Sequence, residues 1–199
     1  MVAKYITISG PSGVGKTTII NSFLKKYNPK AQLAIYDITR EKRNNEVEGL
    51  DYYFINESEF KEKVKRDNYL IYYNLLGSSR GLLKSEIEKI TKKGFIPLII
   101  IDYANLHKLQ KKVGENNIMS IFISVDDKNT IINRLRKRYI FKFKKHNFNK
   151  VEKELQSRIK YIDYFLDTEK YYKHFIKNEI IENSVDELYK LYNNFIKKS

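Results

Sequence analysis

Two periods of apolar residues alternate along the chain. KYITIS, from Lys4 to Ser9, is alternating and β-branched and predicts a strand. Thr17 to Tyr27 carries Ile20, Phe23, Leu24 and Tyr27 at helical spacing. AQLAIY at 31–36 predicts a second short strand. A polar stretch from Asp37 to Asp51 follows, then a strand at DYYFI. Phe60 and Val64 mark a short charged helix. Leu83, Ile87 and Ile90 mark another, closed by Lys92, Lys93 and Gly94, the residue types that suit a helix C-terminus.

Phe95 to Ile101 is an unbroken apolar run ending at Asp102, the pattern of a strand buried on both faces. MSIFISV at 119–125 is a second such run. Asp127 to Arg138 predicts an arginine-rich helix. YIFKFKKHNFNK, 139–150, is basic and aromatic without a period and predicts a mobile loop. Val151, Leu155, Ile159, Ile162 and Leu166 define a helix, and HFIKN at 174–178 a last short strand. Ser184 and Glu187 read as a capping box for a helix with Leu188, Leu191 and Phe195 on its apolar face. Strands alternating with helices predict an α/β fold with a central parallel sheet. No repeat or linker divides the chain.

Composition narrows this little. A chain of 199 residues with 42% hydrophobic content suits one folded domain. Zero cysteines exclude disulfide and thiolate chemistry. KYITIS is too short for a signal-peptide core, and FIPLIII is far short of a membrane span, so a cytoplasmic location and no membrane partner are expected. The net charge of +14 comes from lysines spread along the whole chain, with no nucleic-acid recognition motif beside them. Nucleic acid is not the expected partner. His107, His146 and His174 have no metal-binding spacing. Most of the tyrosines, Tyr171 and Tyr172 among them, read as amphipathic surface cover.

The chemistry sits in GPSGVGKTT, Gly10 to Thr18, where three of the 8 glycines surround a lysine. Gly10-x4-Gly15-Lys16-Thr17 between a strand and a helix is a complete phosphate-binding loop. Its glycines let backbone N–H groups turn inward onto phosphate oxygens, and the following helix adds its positive end. Ser12, Gly13, Val14 and Thr18 complete the cradle. Lys16 would reach the β- and γ-phosphates and the Thr17 hydroxyl would bind Mg²⁺. A nucleoside triphosphate with Mg²⁺ is the expected ligand. The loop does not say what receives the phosphate.

Several motifs together carry a family resemblance. ITREKRNNEVEGLDYYF, 38–54, pairs a threonine-arginine with a second arginine three residues on, then a Gly-x-Asp-Tyr-x-Phe strand. IIID at 99–102 ends a buried strand in aspartate; RLRKR at 134–138 is a paired-arginine helix; FIKNE at 175–179 is a strand ending in asparagine. With the loop, in this order over nearly the whole chain, they resemble the guanylate kinase family. The resemblance implies a three-layer α/β/α P-loop kinase fold: a core of 1–35, 83–137 and 167–199, an acceptor-binding lobe at about 36–82 and a lid at about 138–166. It implies phosphoryl transfer from ATP, with Arg40, Arg43 and Tyr52 on the acceptor's phosphate, and Arg134, Arg138 and Arg158 closing on the transferring group. Asn178 would lie on the ATP side, and Asp102 would organise Mg²⁺, a water or the acceptor. The partners implied are small-molecule nucleotides, in a monomer or homodimer.

The chain departs from the family where guanine would be read. Counted from Phe60, the family's glutamate falls on Ile71. Its serine falls on Tyr36, the tyrosine of its tyrosine-glycine pair on Arg80, and a further serine on Leu82. The phosphate-holding positions stay, and Arg80 adds a charge. A shift within YLIYYNLLGSSRG would instead offer Asn74. GMP or dGMP is the leading acceptor. The alternatives are a kinase for another nucleotide or a ribose phosphate, and a catalytically weak scaffold, which would have no need of the intact loop.

Overall fold

The computed structural model describes residues 4–43, 46–75, 77–143 and 148–197. Nine strands and seven long helices are described: β1 Tyr5–Ser9, α1 Lys16–Tyr27, β2 Ala31–Leu33, β3 Tyr36–Ile38, β4 Tyr52–Phe54, α2 Glu57–Lys65, β5 Tyr69–Leu75, β6 Ser78–Leu83, α3 Lys84–Lys92, β7 Ile96–Ile100, α4 Tyr103–Val113, β8 Ile118–Ser124, α5 Lys128–Phe143, α6 Phe148–Asp167, β9 His174–Lys177 and α7 Ile181–Lys197. The central sheet has the order β2-β7-β1-β8-β9, and a second sheet the order β4-β3-β6-β5. Pairing is parallel between β2 and β7 and between β8 and β9. The expected α/β fold with a central parallel sheet is present. Its strands are nearly continuous apolar runs because they are buried: Ile6, Ile8, Leu98, Ile99, Ile121, Phe122 and Ile123 have no exposed surface.

Two compact units are distinguished. One comprises the described residues of Met1–Ile6, Lys30–Ile99 and Ala104–Ile118; the other those of Thr7–Pro29, Ile100–Tyr103 and Met119–Ser199. The first contains the four-stranded sheet. Tyr36 and Ile38 of β3 lie beside Tyr52 and Phe54 of β4, and Ile38 lies opposite Arg80 of β6. Arg80 lies opposite Tyr73, and Leu82 opposite Ile71. Directly opposed residues share a face, so Tyr36, Ile38, Tyr52, Phe54, Ile71, Tyr73, Arg80 and Leu82 form one side. Asp37, Tyr72 and Gly81 form the other.

Helix α2 packs on that other side. Asn56 caps it by accepting from the Glu59 N–H at 2.8 Å, and its Phe60 ring stacks on Tyr69 at 5.0 Å. Asp37 is fully buried and accepts hydrogen bonds from Tyr69 at 2.7 Å and Lys63 at 2.9 Å. Both donors reach the same carboxylate oxygen, Oδ2, so a charge buried among apolar residues is compensated by an ammonium and a hydroxyl together. Burial raises the Tyr69 phenol pKa first, and the Asp37 carboxylate raises it further.

Four expectations need correction. AQLAIY is not one strand: Ala34 and Ile35 break it, and β3 runs on through Asp37 and Ile38 into the supposed polar stretch. Residues 139–143 are not loop. Ile131, Leu135 and Tyr139 are buried at i, i+4 and i+8, so the helical stripe continues and α5 reaches Phe143. The chain from Phe148 is helix again; 144–147, with Lys144, Lys145 and His146, lie outside the described residues. Ser184 caps nothing: α7 starts three residues earlier, and the buried Ser184 hydroxyl donates to Asn178 Oδ1 at 3.2 Å. Tyr172 is not surface cover but buried, donating to Ser9 Oγ at 2.6 Å.

Candidate active site

The glycine loop lies in the second unit, between β1 and α1. Gly10 and Gly15 have φ of +133° and +106°, values that side chains rarely tolerate. A Cβ on Gly10 would sit 2.2 Å from the Ile123 carbonyl oxygen, and one on Gly15 would sit 2.3 Å from Asn178 Nδ2. The loop is therefore pressed between β8 and the end of β9, and only glycine fits. Gly15 occupies the N-cap of α1 without a side-chain hydrogen bond, and the positive end of the helix dipole lies at this end of the loop. Lys16 folds back, donating from Nζ to Gly10 O at 2.7 Å and Pro11 O at 2.9 Å. Thr17 and Thr18 are exposed in the first turn.

Asn178 holds the loop from behind. Its backbone N–H donates to Ser124 O at 2.8 Å, and its side chain donates to Val14 O at 2.7 Å. The three arginines expected around the transferring group all reach the loop. Arg138 and Arg158 donate to Ser12 Oγ at 3.1 and 3.0 Å. Arg134 donates to Val14 O at 3.4 Å and Asn178 O at 3.5 Å. Arg134 and Arg138 arrive together because they are one turn apart on α5. Arg158, on α6, is oriented by Glu154, which also accepts from Tyr139 at 2.6 Å. Three guanidiniums thus converge on Ser12 and Val14 and make the loop's surroundings strongly cationic.

Asp102 follows β7. The Ile101 N–H donates to Ile8 O at 3.1 Å, so the chain at Asp102 runs beside the end of β1 where the loop begins. Ser9 Oγ donates to Ile101 O at the same place. Burial, and after it the Asp102 charge, raises the pKa of the Tyr164 phenol.

The first unit carries the residues expected to hold the acceptor. Arg40 and Arg80 both lie over the Tyr52 ring, at 5.2 and 5.9 Å, on the tyrosine-rich side of the sheet. Arg40 also grips Glu46 with both terminal nitrogens, at 2.7 and 2.6 Å, and the Arg43 backbone N–H donates to the same carboxylate at 3.0 Å. Burial pushes the Glu46 pKa up, but the Arg40 and Arg43 contacts prevail and hold it below the ordinary carboxylate value. Glu46 therefore stays ionised and keeps two arginines pointed one way. The tight turn before β4 is held by Asp51, which accepts from the Val47 N–H at 2.8 Å and so sets the entry of Tyr52. Tyr36 and Ile71 are buried, and the Tyr36 and Tyr73 rings meet edge to face at 6.2 Å.

Comparison with known proteins agrees with this geometry. The guanylate kinase family model matches residues 2–196. The chain belongs to the guanylate kinase family. A guanylate kinase of Fusobacterium nucleatum is 34% identical over 195 residues, covering 98% of both chains. One of Mesomycoplasma hyopneumoniae is 40% identical over 141 residues, covering 69% of this chain and 72% of the relative. The crystal structure of guanylate kinase from Anaplasma phagocytophilum superposes with a TM-score of 0.72 at 22% identity, covering 97% of this chain and 86% of that one, and so supports the fold. Like the family, the chain is an ATP-dependent enzyme, a nucleoside monophosphate kinase. Neither a kinase for another nucleotide or a ribose phosphate nor the scaffold alternative is favoured by these relatives.

Within this guanylate kinase family member, the hairpin settles the position of Asn74. It lies opposite Ser79, on the face away from Arg80 and Tyr73. Sequence reasoning missed Glu46, Tyr73 and the Asp37–Lys63 pair. A carboxylate between two arginines and a loop turn was a readable hint for Glu46; the other two depend on sheet pairing. Among the described residues no cluster of three or more His, Asp or Glu forms a metal site, and no helix is long and apolar enough to cross a membrane.

Proposed function

We propose that this enzyme transfers the γ-phosphoryl group of ATP to GMP or dGMP, giving GDP or dGDP and ADP. The complete loop with Lys16 folded onto it, in a chain that matches the family from end to end, carries the reading. An oxygen of the acceptor's phosphate attacks Pγ while the bond from Pγ to the β–γ bridging oxygen breaks. The attacking oxygen is already ionised near neutrality, so no general base is needed. What the protein supplies is position and positive charge.

Gly10, Ser12, Gly13, Val14, Gly15, Thr17 and Thr18 cradle the donor phosphates through backbone N–H groups and hydroxyls, with Asn178 bracing the loop. Lys16 moves from its loop carbonyls to the β- and γ-phosphates. Arg134, Arg138 and Arg158 neutralise charge on the transferring group. Arg40, Arg43, Arg80 and Tyr52 hold the acceptor's phosphate. Segment 36–82 would serve as the acceptor lobe and 138–166 as the lid. The Thr17 hydroxyl and Asp102 carboxylate are hard oxygen donors and would hold Mg²⁺. When bound, Mg²⁺ neutralises phosphate charge.

Replacing Arg43 by Ala tests the acceptor assignment. The KM for GMP should rise by about 10- to 100-fold, because a charge-assisted contact to phosphate contributes on that scale, while the KM for ATP stays unchanged. An unchanged KM for GMP would make Arg43 a solvated surface residue.

A further inference from the structure

The acceptor side of the four-stranded sheet has an unusual distribution of chemistry. At one end it is rich in cations. Arg40 and Arg80 share the Tyr52 ring, and Arg43 stands beside them at Glu46. Three guanidiniums against one carboxylate leave two net positive charges, the match for a dianionic phosphate. Arg80 also carries a buried Nε–H with no hydrogen-bond partner among the described residues. A buried donor left unpaired is costly, and an anion beside it removes that cost.

At the other end the same side is apolar and aromatic. Tyr36, Ile71 and Leu82 are buried there, and Tyr73 packs against Tyr36. The sheet's register explains why no carboxylate appears among them. Asp37 is the acidic residue of these strands, and its odd position in β3 turns it to the opposite face, where Lys63 and Tyr69 use it. Asn74 is turned away by the same alternation. Guanine presents N–H donors at N1 and N2, and picking it out by hydrogen bonds requires an acceptor placed against that edge. Ile71 and Leu82 have none. A tyrosine hydroxyl can donate or accept, so it meets adenine as readily as guanine.

We infer that this enzyme selects its acceptor by the phosphate and by ring contact with the base, and that it phosphorylates AMP alongside GMP. The inference rests on the proposed nucleoside monophosphate kinase reaction. Every base has a ring face, so stacking on tyrosine binds bases without choosing among them. Arg80 supplies affinity at the phosphate end that does not depend on the base.

The scale of discrimination follows from the contacts. Sites that sort substrates through apolar contact separate them by roughly 10- to 200-fold, whereas sites built to hydrogen-bond a substrate edge reach about 10⁴ or more. The test is kcat/KM for GMP and for AMP at saturating ATP and Mg²⁺, in the intact protein. A GMP-to-AMP ratio below about 10³ is expected; a ratio above it overturns the inference while leaving guanylate kinase activity standing. Absence of turnover with either acceptor overturns the inference together with the reaction it rests on. Arg80→Gln provides an independent arm. It should lower kcat/KM about 10-fold or more for both acceptors and leave their ratio unchanged, as loss of a charge-assisted phosphate contact does. A changed ratio would place Arg80 on the base and overturn its assignment to the phosphate.

Discussion

Lys16→Ala is expected to reduce kcat for phosphoryl transfer by about 10³-fold or more, since it deletes a positioned charge aimed at phosphates in the transition state. The resting position of the side chain shows why substitution is so damaging. Its ammonium donates to two carbonyls of the loop's first turn, so it is stored within the cradle proposed to receive the β- and γ-phosphates. No other cation in the loop itself can stand in, because Ser12, Val14, Thr17 and Thr18 are neutral. The three arginines approach through Ser12 and Val14 rather than along the helix axis. They would still bind nucleotide, so the KM for ATP should rise less than kcat falls. Steady-state rates measured at equal folded fraction check this. Turnover within tenfold of wild type would remove Lys16 from the chemistry.

Gly10→Ala is expected to be the most damaging small change to stability in the loop. The backbone there has a φ that an L side chain rarely adopts, and the added methyl would meet the Ile123 carbonyl at 2.2 Å. That obstacle is main chain in a fully buried strand, which cannot step aside as a side chain can. Strain and overlap together should cost about 3 kcal/mol, a fall in Tm on the order of 10 °C for a chain of this size. Gly94→Ala is the control. Gly94 also has positive φ, +76°, but nothing lies within 4 Å of the place its methyl would take. It should lose only about 1 kcal/mol. Equal losses in the two variants would show that conformation alone, and not the press of β8 against the loop, fixes Gly10.

The loop, the two central strands and the arginine helix were legible because each has a local cause. A phosphate cradle needs its glycines and lysine in sequence, a strand buried on both faces is a continuous apolar run, and Arg134 and Arg138 meet by helical spacing. The β5–β6 hairpin was not legible. YLIYYNL does not alternate cleanly, and the pairing register shifts between Tyr69 and Ile71, so the side that each tyrosine faces cannot be counted from sequence. Helix α4 was missed too: its buried Asn105, Leu106 and Leu109 give a short stripe among lysines. The apparent capping box at Ser184 misled because the serine is needed elsewhere, holding Asn178, which in turn holds Val14. Local patterns name the candidate donor site; long-range pairing decides what lines the candidate acceptor site.

The most direct measurement follows the products of the purified chain incubated with ATP, Mg²⁺ and GMP, separating GDP from ADP. The account predicts GDP and ADP in equal amounts, at a rate that depends on both substrates. ADP without GDP would mean hydrolysis rather than transfer, and neither product, with ATP bound, would contradict the kinase reading of the glycine loop.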